Sequence, residues 1–370
     1  MKKISLITCA VAAALCSNTA LAADVEIYGR ADFNFGVDNY HGGTKDGETN
    51  WGLNDGASRF GFNIREQLNE DVSINGYFEN GFMIDSGEFM QEGVLFNRRS
   101  ILSVKSKTYG ELAFGRMGTV TSSNAPFGMG ITMLDPFLTS YTSDFTISGL
   151  FASDSRADNS ILYYTPRIGG WQLGLTYSLQ RSGEEEEQED LNDRVASGLI
   201  SYTNGRFYGV LGASTIMWGN EGSNVDRKDS VEAFAGFNYD LTDTIKVYLG
   251  AQYVKDWRLF SYWKPKNHSA TSTADEHGVD GMLYITGFRY KASGNTTLIG
   301  SYGFFDGEQD VGNETREGQR HRLSVGAEYY LSKRTNLYLV ANYTKNEDYV
   351  VDNDGYRYKY SALAGMTHKF

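Results

Sequence analysis

The sequence predicts an all-β fold, a transmembrane antiparallel β-barrel of sixteen strands. Three observations lead to that prediction. Apolar and polar residues alternate along many short segments of the chain. Tight turns and long polar loops alternate between those segments. The mean hydropathy is −0.41, so the mature chain lacks the apolar runs of about 20 residues that membrane helices require.

The alternation has a period of two residues, which is the period of a β-strand. In the first segment Val25, Ile27 and Phe33 fall on one side, and Arg30 and Asp32 fall on the other. The same pattern recurs in three later segments, 245–253, 337–343 and 357–370. A soluble β-sandwich also alternates, but its strands average only about 5–6 residues. The longer segments here, and the many charges on their polar side, favour a barrel with a wet interior.

The connections between segments fall into two classes. The tight ones are 67–71, 105–111, 166–170, 203–206, 240–244, 291–295 and 331–334. The long polar ones are 40–55, 86–93, 118–157, 182–193, 219–228, 258–280, 307–318 and 347–356. Short turns at one end and long loops at the other are typical of barrels in the outer membrane.

The composition agrees with this fold class. Aromatic residues make up 14% of the chain, with 25 Tyr and 21 Phe, and this excludes a disordered protein. Tyr and Phe cluster near the ends of the predicted strands, as expected for aromatic girdles at the two membrane interfaces. The net charge is −12, which argues against a nucleic-acid partner.

The first 22 residues have the pattern of a secretory signal peptide. Lys2 and Lys3 form a basic start, an apolar stretch runs from Ile4 to Cys16, and 20–22 reads Ala-Leu-Ala. We expect cleavage after Ala22, with Ala23 as a near alternative, and a single barrel over 23–370. Both cysteines lie in the removed segment, so the mature chain has none. Loss of the two lysines changes the net charge from −12 to −14.

No catalytic or metal site is predicted. The five histidines are scattered and show neither HExxH spacing nor a neighbouring nucleophile motif. We expect no enzyme activity and no cofactor, apart from divalent cations that external loops could hold loosely. Two other classes are disfavoured. They are an outer-membrane hydrolase on a smaller barrel and a soluble exported β-sandwich that binds a ligand.

Six short motifs, in order along the mature chain, resemble the general porins of Gram-negative bacteria, of the neisserial and burkholderial type. They are Val25 to Arg30, Ser58 to Phe62, Phe96 to Arg98, Phe114 to Arg116, Asp158 to Ile161 and Gly365 to Phe370. The resemblance implies a homotrimer in the outer membrane with a water-filled pore in each subunit. It also implies that Phe370 is the signal read by the barrel-assembly machinery.

The resemblance further implies that the third loop, 118–157, folds into the lumen and narrows it. A plain outer loop is the alternative. In this family basic residues on the wall face acidic residues on that loop. By position, Arg30, Arg59, Arg98 and Arg116 match the basic wall, with lumen scaffolding through ion pairs as the alternative role. Asp135 and Asp144 are the candidates for the acidic side, and no metal site is implied.

Three features leave the selectivity open. Leu162 stands where many members of the family carry a basic residue. The strand pattern does not decide whether Arg98 or Arg99 faces the lumen. An arginine-rich wall favours anions, whereas the negative net charge and the acidic run 184–190 favour cations.

The predicted function is therefore a general diffusion porin for ions and small hydrophilic solutes. A channel selective for a sugar or a carboxylate is the alternative. The predicted partners are two further copies of the chain, outer-membrane lipid and lipopolysaccharide, and the assembly machinery.

Overall fold

The computed structural model describes residues 23–127, 130–138, 145–219, 227–263 and 277–370, without the side chain of Asn353. The predicted signal peptide lies outside these ranges. The described chain consists of seventeen strand segments and one short α-helix, α1, with a few single 3-10 turns. The strands are β1 (Asp24–His41), β2 (Thr49–Asp55), β3 (Arg59–Gln67), β4 (Val72–Gly81), β5 (Arg99–Ser106), β6 (Gly110–Met117), β7 (Ala157–Tyr164), β8 (Trp171–Ser178), β9 (Arg194–Asn204), β10 (Phe207–Met217), β11 (Ser230–Asp240), β12 (Ile245–Trp257), β13 (Val279–Lys291), β14 (Thr296–Val311), β15 (Glu314–Tyr330), β16 (Thr335–Asp348) and β17 (Tyr358–Lys369). Helix α1 is Tyr349–Asp354.

The strands close into one antiparallel barrel. Apart from β2 and β3, which both pair with β1, each strand pairs with its neighbours in sequence, and β1 also pairs with β17, Arg30 lying opposite Lys369. Segments β2 and β3 follow each other along the same edge of β1. A kink separates them, where Ala57 has a φ of 72° and Asp55 accepts backbone hydrogen bonds from Ala57 and Ser58. The seventeen segments therefore form sixteen barrel strands, and the predicted fold class is confirmed.

The two faces of the wall differ as the alternation predicts. Leu249, Val325 and Leu339 point outward and remain 50–59% exposed in the isolated chain, which leaves them for contact with lipid. The inward positions between them carry buried polar groups such as Gln252 and Ser324. Within the described residues, no helix has the length and apolar character needed to cross a membrane.

The tight turns are built by local side-chain bonds. In the turn between β3 and β4, the Asn69 side chain accepts hydrogen bonds from the backbone of Asp71 and Val72, at 2.9 Å each. Asp71 in turn accepts a 2.6 Å hydrogen bond from Ser106 at the next turn along the barrel. These bonds join adjacent turns at the short-turn end, which is the periplasmic end in outer-membrane barrels.

Candidate functional site

The long loop 118–157 packs on the inward face of the opposite wall. Side chains on four strands donate hydrogen bonds to its backbone carbonyl groups: Asn238 to Met133 at 2.8 Å, Gln252 to Ala152 at 2.7 Å, Arg289 to Pro136 at 2.7 Å and Arg322 to Thr146 at 3.0 Å. Gln252 also accepts a hydrogen bond from the Ala152 amide at 2.8 Å. The loop therefore runs from β6 across the inside of β11 to β15 before it returns to β7.

Glycines on the inward face make room for the loop. A Cβ atom on Gly287 would lie 2.4 Å from Cγ of Pro136, and one on Gly303 would lie 2.5 Å from Cδ1 of Leu150. Buried apolar residues of the loop, including Ile131 and Leu134, fill the contact. This packing explains the low charge of the loop sequence.

A group of arginines surrounds one carboxylate on the other side of the barrel. Arg98 Nε donates to Glu79 Oε1 at 2.6 Å, and Arg59 Nε lies 3.5 Å from Oε2 of the same side chain. The Tyr28 hydroxyl donates to Glu79 Oε2 at 3.0 Å. The structure thus brings together two of the predicted wall residues, Arg59 and Arg98, at one site.

Two further arginines adjoin this site. Arg99 stands opposite Glu79 in the β4–β5 ladder. It shares one face of the strand with the buried Ile101 and Ser103, so it faces inward. Arg98 precedes the strand and turns to the same carboxylate, so both residues of the pair lie on the lumen side. Arg156, at the end of the long loop, donates from Nε to the Arg98 carbonyl at 3.2 Å. We call Arg59, Arg98, Arg99, Arg156 and Glu79 the arginine cluster.

Arg156 carries a charge that the described residues do not balance. It donates to Asn124 Oδ1 at 2.8 Å but has no ion pair with any described carboxylate. Burial, followed by the neighbouring guanidinium of Arg98, lowers the pKa of Arg156 to about 9. The positive charge of Arg98 therefore disfavours a further cation beside Arg156.

The other two predicted wall residues are occupied elsewhere. Arg30 is buried and forms an ion pair with Asp32, donating to it from Nε at 3.0 Å. Arg116 forms an ion pair with Asp158, and its Nε donates to the Asn97 carbonyl at 2.9 Å. Both match the scaffolding role that the sequence left open rather than a free wall charge.

One of the two residues predicted for the acidic side of the passage, Asp135, is corrected by the structure. Asp135 is fully buried, and its carboxylate accepts hydrogen bonds from the amides of Phe137 and Ser148 within the loop, at 2.9 and 3.3 Å. It shapes the loop and does not line the lumen. Asp144 lies outside the described residues.

The loop has one more carboxylate, Asp154, and it too is buried. Arg181 donates two hydrogen bonds to it, at 2.9 and 3.0 Å. In the arginine cluster, four guanidinium groups face one carboxylate, and both described loop carboxylates are buried and bonded.

The extracellular mouth holds a second inward-folded layer that the sequence did not predict. Phe260, Tyr262 and Trp263 follow β12 and are nearly fully buried, although the sequence places them in a polar external loop. The Tyr262 hydroxyl donates to the Leu150 carbonyl of the long loop at 3.1 Å. The cluster of aromatic residues in an otherwise polar loop was the signal that could have predicted this burial.

The C-terminal residue closes the barrel wall. The backbone of Phe370 exchanges hydrogen bonds of 3.0 and 3.1 Å with Gly29 on β1. Its ring lies over Gly29, where a Cβ atom would come within 2.2 Å of Cζ. The ring is half exposed, and its predicted role as an assembly signal stays a prediction.

The family comparison decides what kind of barrel this is. Residues 8–349 match the model of the Gram-negative porin family. This chain belongs to the Gram-negative porins. It is thus an outer-membrane channel protein and not an enzyme. The match spans most of the sequence, and it confirms the resemblance seen in the six motifs.

Relatives and solved structures of porins agree. The chain is 26% identical to an outer membrane porin of Bordetella pertussis over 335 residues, covering 85% of this chain and 82% of that one. It is 27% identical to outer membrane porin protein 32 of Delftia acidovorans, covering 94% and 91%. Two solved structures share the fold. The anion-selective porin from Comamonas acidovorans has a TM-score of 0.70 at 22% identity, covering 94% of this chain and 100% of that one. The trimer form of OmpT of Vibrio cholerae has a TM-score of 0.61 at 16% identity, covering 95% and 100%.

Proposed function

We propose that this porin is a passive diffusion channel for small hydrophilic solutes, with a preference for anions. The observation that carries the proposal is the charge balance of the arginine cluster: Glu79 pairs with Arg98 and Arg59, whereas the adjoining Arg99 and Arg156 have no ion pair with a described carboxylate. Rings of basic side chains favour anions in a water-filled pore. The long loop 118–157, packed on the opposite wall, sets the width of the passage.

A salt gradient across a planar bilayer tests this proposal. With KCl more concentrated on one side, the reversal potential should have the sign of chloride selectivity. A well-folded preparation that never conducts would refute the channel function, and a reversal potential of the cation sign would refute the anion preference.

A channel selective for carboxylates is the second candidate. Guanidinium groups bind carboxylates in a bidentate geometry. The Arg99 guanidinium has no hydrogen bond or ion pair with the other described residues. Succinate is a suitable probe. Saturable block of the chloride current by millimolar succinate supports this candidate, whereas a current that depends only on ionic strength supports general diffusion.

The assembly state and export route are part of the proposal. We propose a homotrimer, consistent with the trimer form of the structural neighbour OmpT of Vibrio cholerae. The trimer should run as one heat-modifiable band on a semi-native gel. We also propose that residues 1–22 are a cleaved export signal, so the mature protein should start at Ala23.

Contacts with lipopolysaccharide are also proposed, through loosely held divalent cations at the external loops. The acidic run 184–190 is exposed, with Glu189 paired to Arg194. Removal of divalent cations with EDTA should then release lipopolysaccharide from the purified protein.

A further inference from the structure

We propose that the inward-folded layer at the extracellular mouth is a second size filter, separate from the constriction by loop 118–157. The mouth layer consists of residues 260–263, after β12, and helix α1 with Tyr356. The inference rests on the proposed function in one respect: the channel must be open to solutes.

The mouth layer lies on the inner wall of the barrel. Gly318 shares the inward face of β15 with Arg320 and Arg322. A Cβ atom on Gly318 would lie 2.9 Å from Cγ2 of Val350 and 3.0 Å from Cζ3 of Trp263. Both parts of the mouth layer therefore occupy space inside the barrel, against the same strand.

Aromatic contacts join the two parts to each other and to the wall. The ring centroids of Trp263 and Tyr349 are 5.4 Å apart, and those of Phe260 and the inward Phe305 are 4.9 Å apart. Trp263 also donates from its indole nitrogen to Gln309 Oε1 at 3.1 Å. These residues are almost fully buried, so the mouth layer is packed like a protein core and is not a surface loop.

Arg320 connects the whole layer. Its guanidinium donates to Asp354 Oδ2 and to the Tyr356 hydroxyl, each at 2.7 Å, and lies 4.6 Å from the ring centroid of Tyr262. Two residues away on the same strand, Arg322 instead holds the Thr146 carbonyl of the long loop. One strand thus anchors both narrowings, each through its own arginine.

The position of the mouth layer predicts an asymmetric channel. The layer covers the β12–β16 side at the extracellular end, whereas the described residues show no comparable packed layer at the periplasmic turns. The largest polymer that can enter should therefore be smaller from the extracellular side than from the periplasmic side. Changes to the mouth layer should leave the ion selectivity unaffected, because the arginine cluster lies across the lumen, between β3 and β7.

Polyethylene glycols of graded size, added to one side of a planar bilayer at a time, test the inference. Each polymer that enters lowers the conductance, which gives an exclusion size for each side. In the wild-type protein the extracellular exclusion size should be the smaller. Arg320→Gln and the double variant Tyr262→Ala/Trp263→Ala should both raise it toward the periplasmic value. Gln319→Leu, on the outer face of the same strand, is the matched control and should leave the extracellular exclusion size unchanged.

The outcomes separate the two proposals. A protein that does not conduct refutes the diffusion function. A conducting wild type with equal exclusion sizes on both sides, or folded variants with an unchanged extracellular exclusion size, overturns the second filter. Heat-modifiable migration on a gel identifies the variants that fold. If Arg320→Gln does not fold, the double variant Tyr262→Ala/Trp263→Ala still tests the mouth layer.

Discussion

Arg98 donates to Glu79 at 2.6 Å from a position just before β5, while Arg99, the next residue, stands opposite the same glutamate on the strand. A single carboxylate thus lies among several cations. This relationship makes Glu79 the residue that moderates the positive field in the lumen.

Replacement of Glu79 should strengthen the anion preference. In Glu79→Gln the arginine cluster loses its one negative charge but keeps a side chain of the same shape. A unit charge at about 4 Å is worth roughly 1 kcal/mol in water, or about fivefold in the chloride-to-potassium permeability ratio. The reversal potential in a KCl gradient measures the shift. Glu328→Gln, on the far wall beside Arg289, is the matched control. A shift toward potassium would contradict the assignment.

Removal of the charge at Arg156 should weaken the anion preference by a similar factor. Arg156→Gln retains a donor for the Arg98 carbonyl and removes a cation that no described carboxylate balances. Arg116→Gln is the control, since Arg116 is already paired with Asp158. If both variants gave the wild-type reversal potential, Arg156 would not act on permeating ions.

The sequence predicted the barrel because the pleat of a strand imposes a period of two on any wall with unlike faces. The same period directs the side chain of Arg59 inward, whereas Arg98 precedes β5 and was assigned only from the resemblance to the porin family, because the strand pattern does not decide between Arg98 and Arg99. Asp135 could not be assigned in the same way. Its carboxylate bonds the amide of Ser148, thirteen residues later, so its location depends on how the loop folds.

Arg156 was overlooked for a related reason. It is the one basic residue in 118–157, which was a usable signal, but a loop has no period from which its direction could be inferred. The burial of Tyr262 and Trp263 was hidden in the same way, because it arises from contacts with distant strands.

Loss of the Gln252 side chain should loosen the long loop. Gln252→Leu removes both hydrogen bonds to the Ala152 backbone and leaves two buried polar groups without these partners, at a cost of about 1–3 kcal/mol for each group. We expect more frequent current fluctuations in single-channel recordings with little change in mean ion selectivity. Gln319→Leu, whose amide bonds Asp306 on the outer face, should behave as the wild type. Recordings as quiet as the wild type from Gln252→Leu would argue against anchoring.

The periplasmic turns should respond to acid through Asp71. Hydrogen bonds, first from the Ser106 side chain, hold the pKa of Asp71 below its ordinary value. Its stabilising contribution is complete above the unfolded pKa of about 3.9 and is lost as the pH falls through the folded pKa. Between about pH 6 and about pH 3, a window around the ordinary pKa of Asp, the unfolding temperature of Asp71→Asn should therefore depend less on pH than that of the wild type. Asp85→Asn, exposed in an external loop, should keep the wild-type dependence.

Deletion of Phe370 should reduce assembly more than it reduces stability. The residue adds one backbone pair with Gly29 and a half-exposed ring, a small part of the barrel. If the ring is a recognition signal, the variant should accumulate unassembled in the periplasm, yet refold in detergent with nearly the wild-type unfolding temperature. Phe370→Tyr keeps an aromatic end and should assemble normally. If the deletion variant and the wild type gave equal yields of outer-membrane protein, Phe370 would not be an assembly signal.

The pairing of β1 with β17 fixes the order of events during biogenesis. Residues more than 300 positions apart must meet before the last edge disappears, as Thr367 and Asp32 do across that seam. Until the ribosome has released the C-terminal strand, every intermediate has two open edges, and such edges template aggregation. Closure of the barrel must therefore wait until the whole chain has been made, because the first and last strands form the final seam. The same adjacency means that the two chain ends could be joined and the barrel reopened at another periplasmic turn.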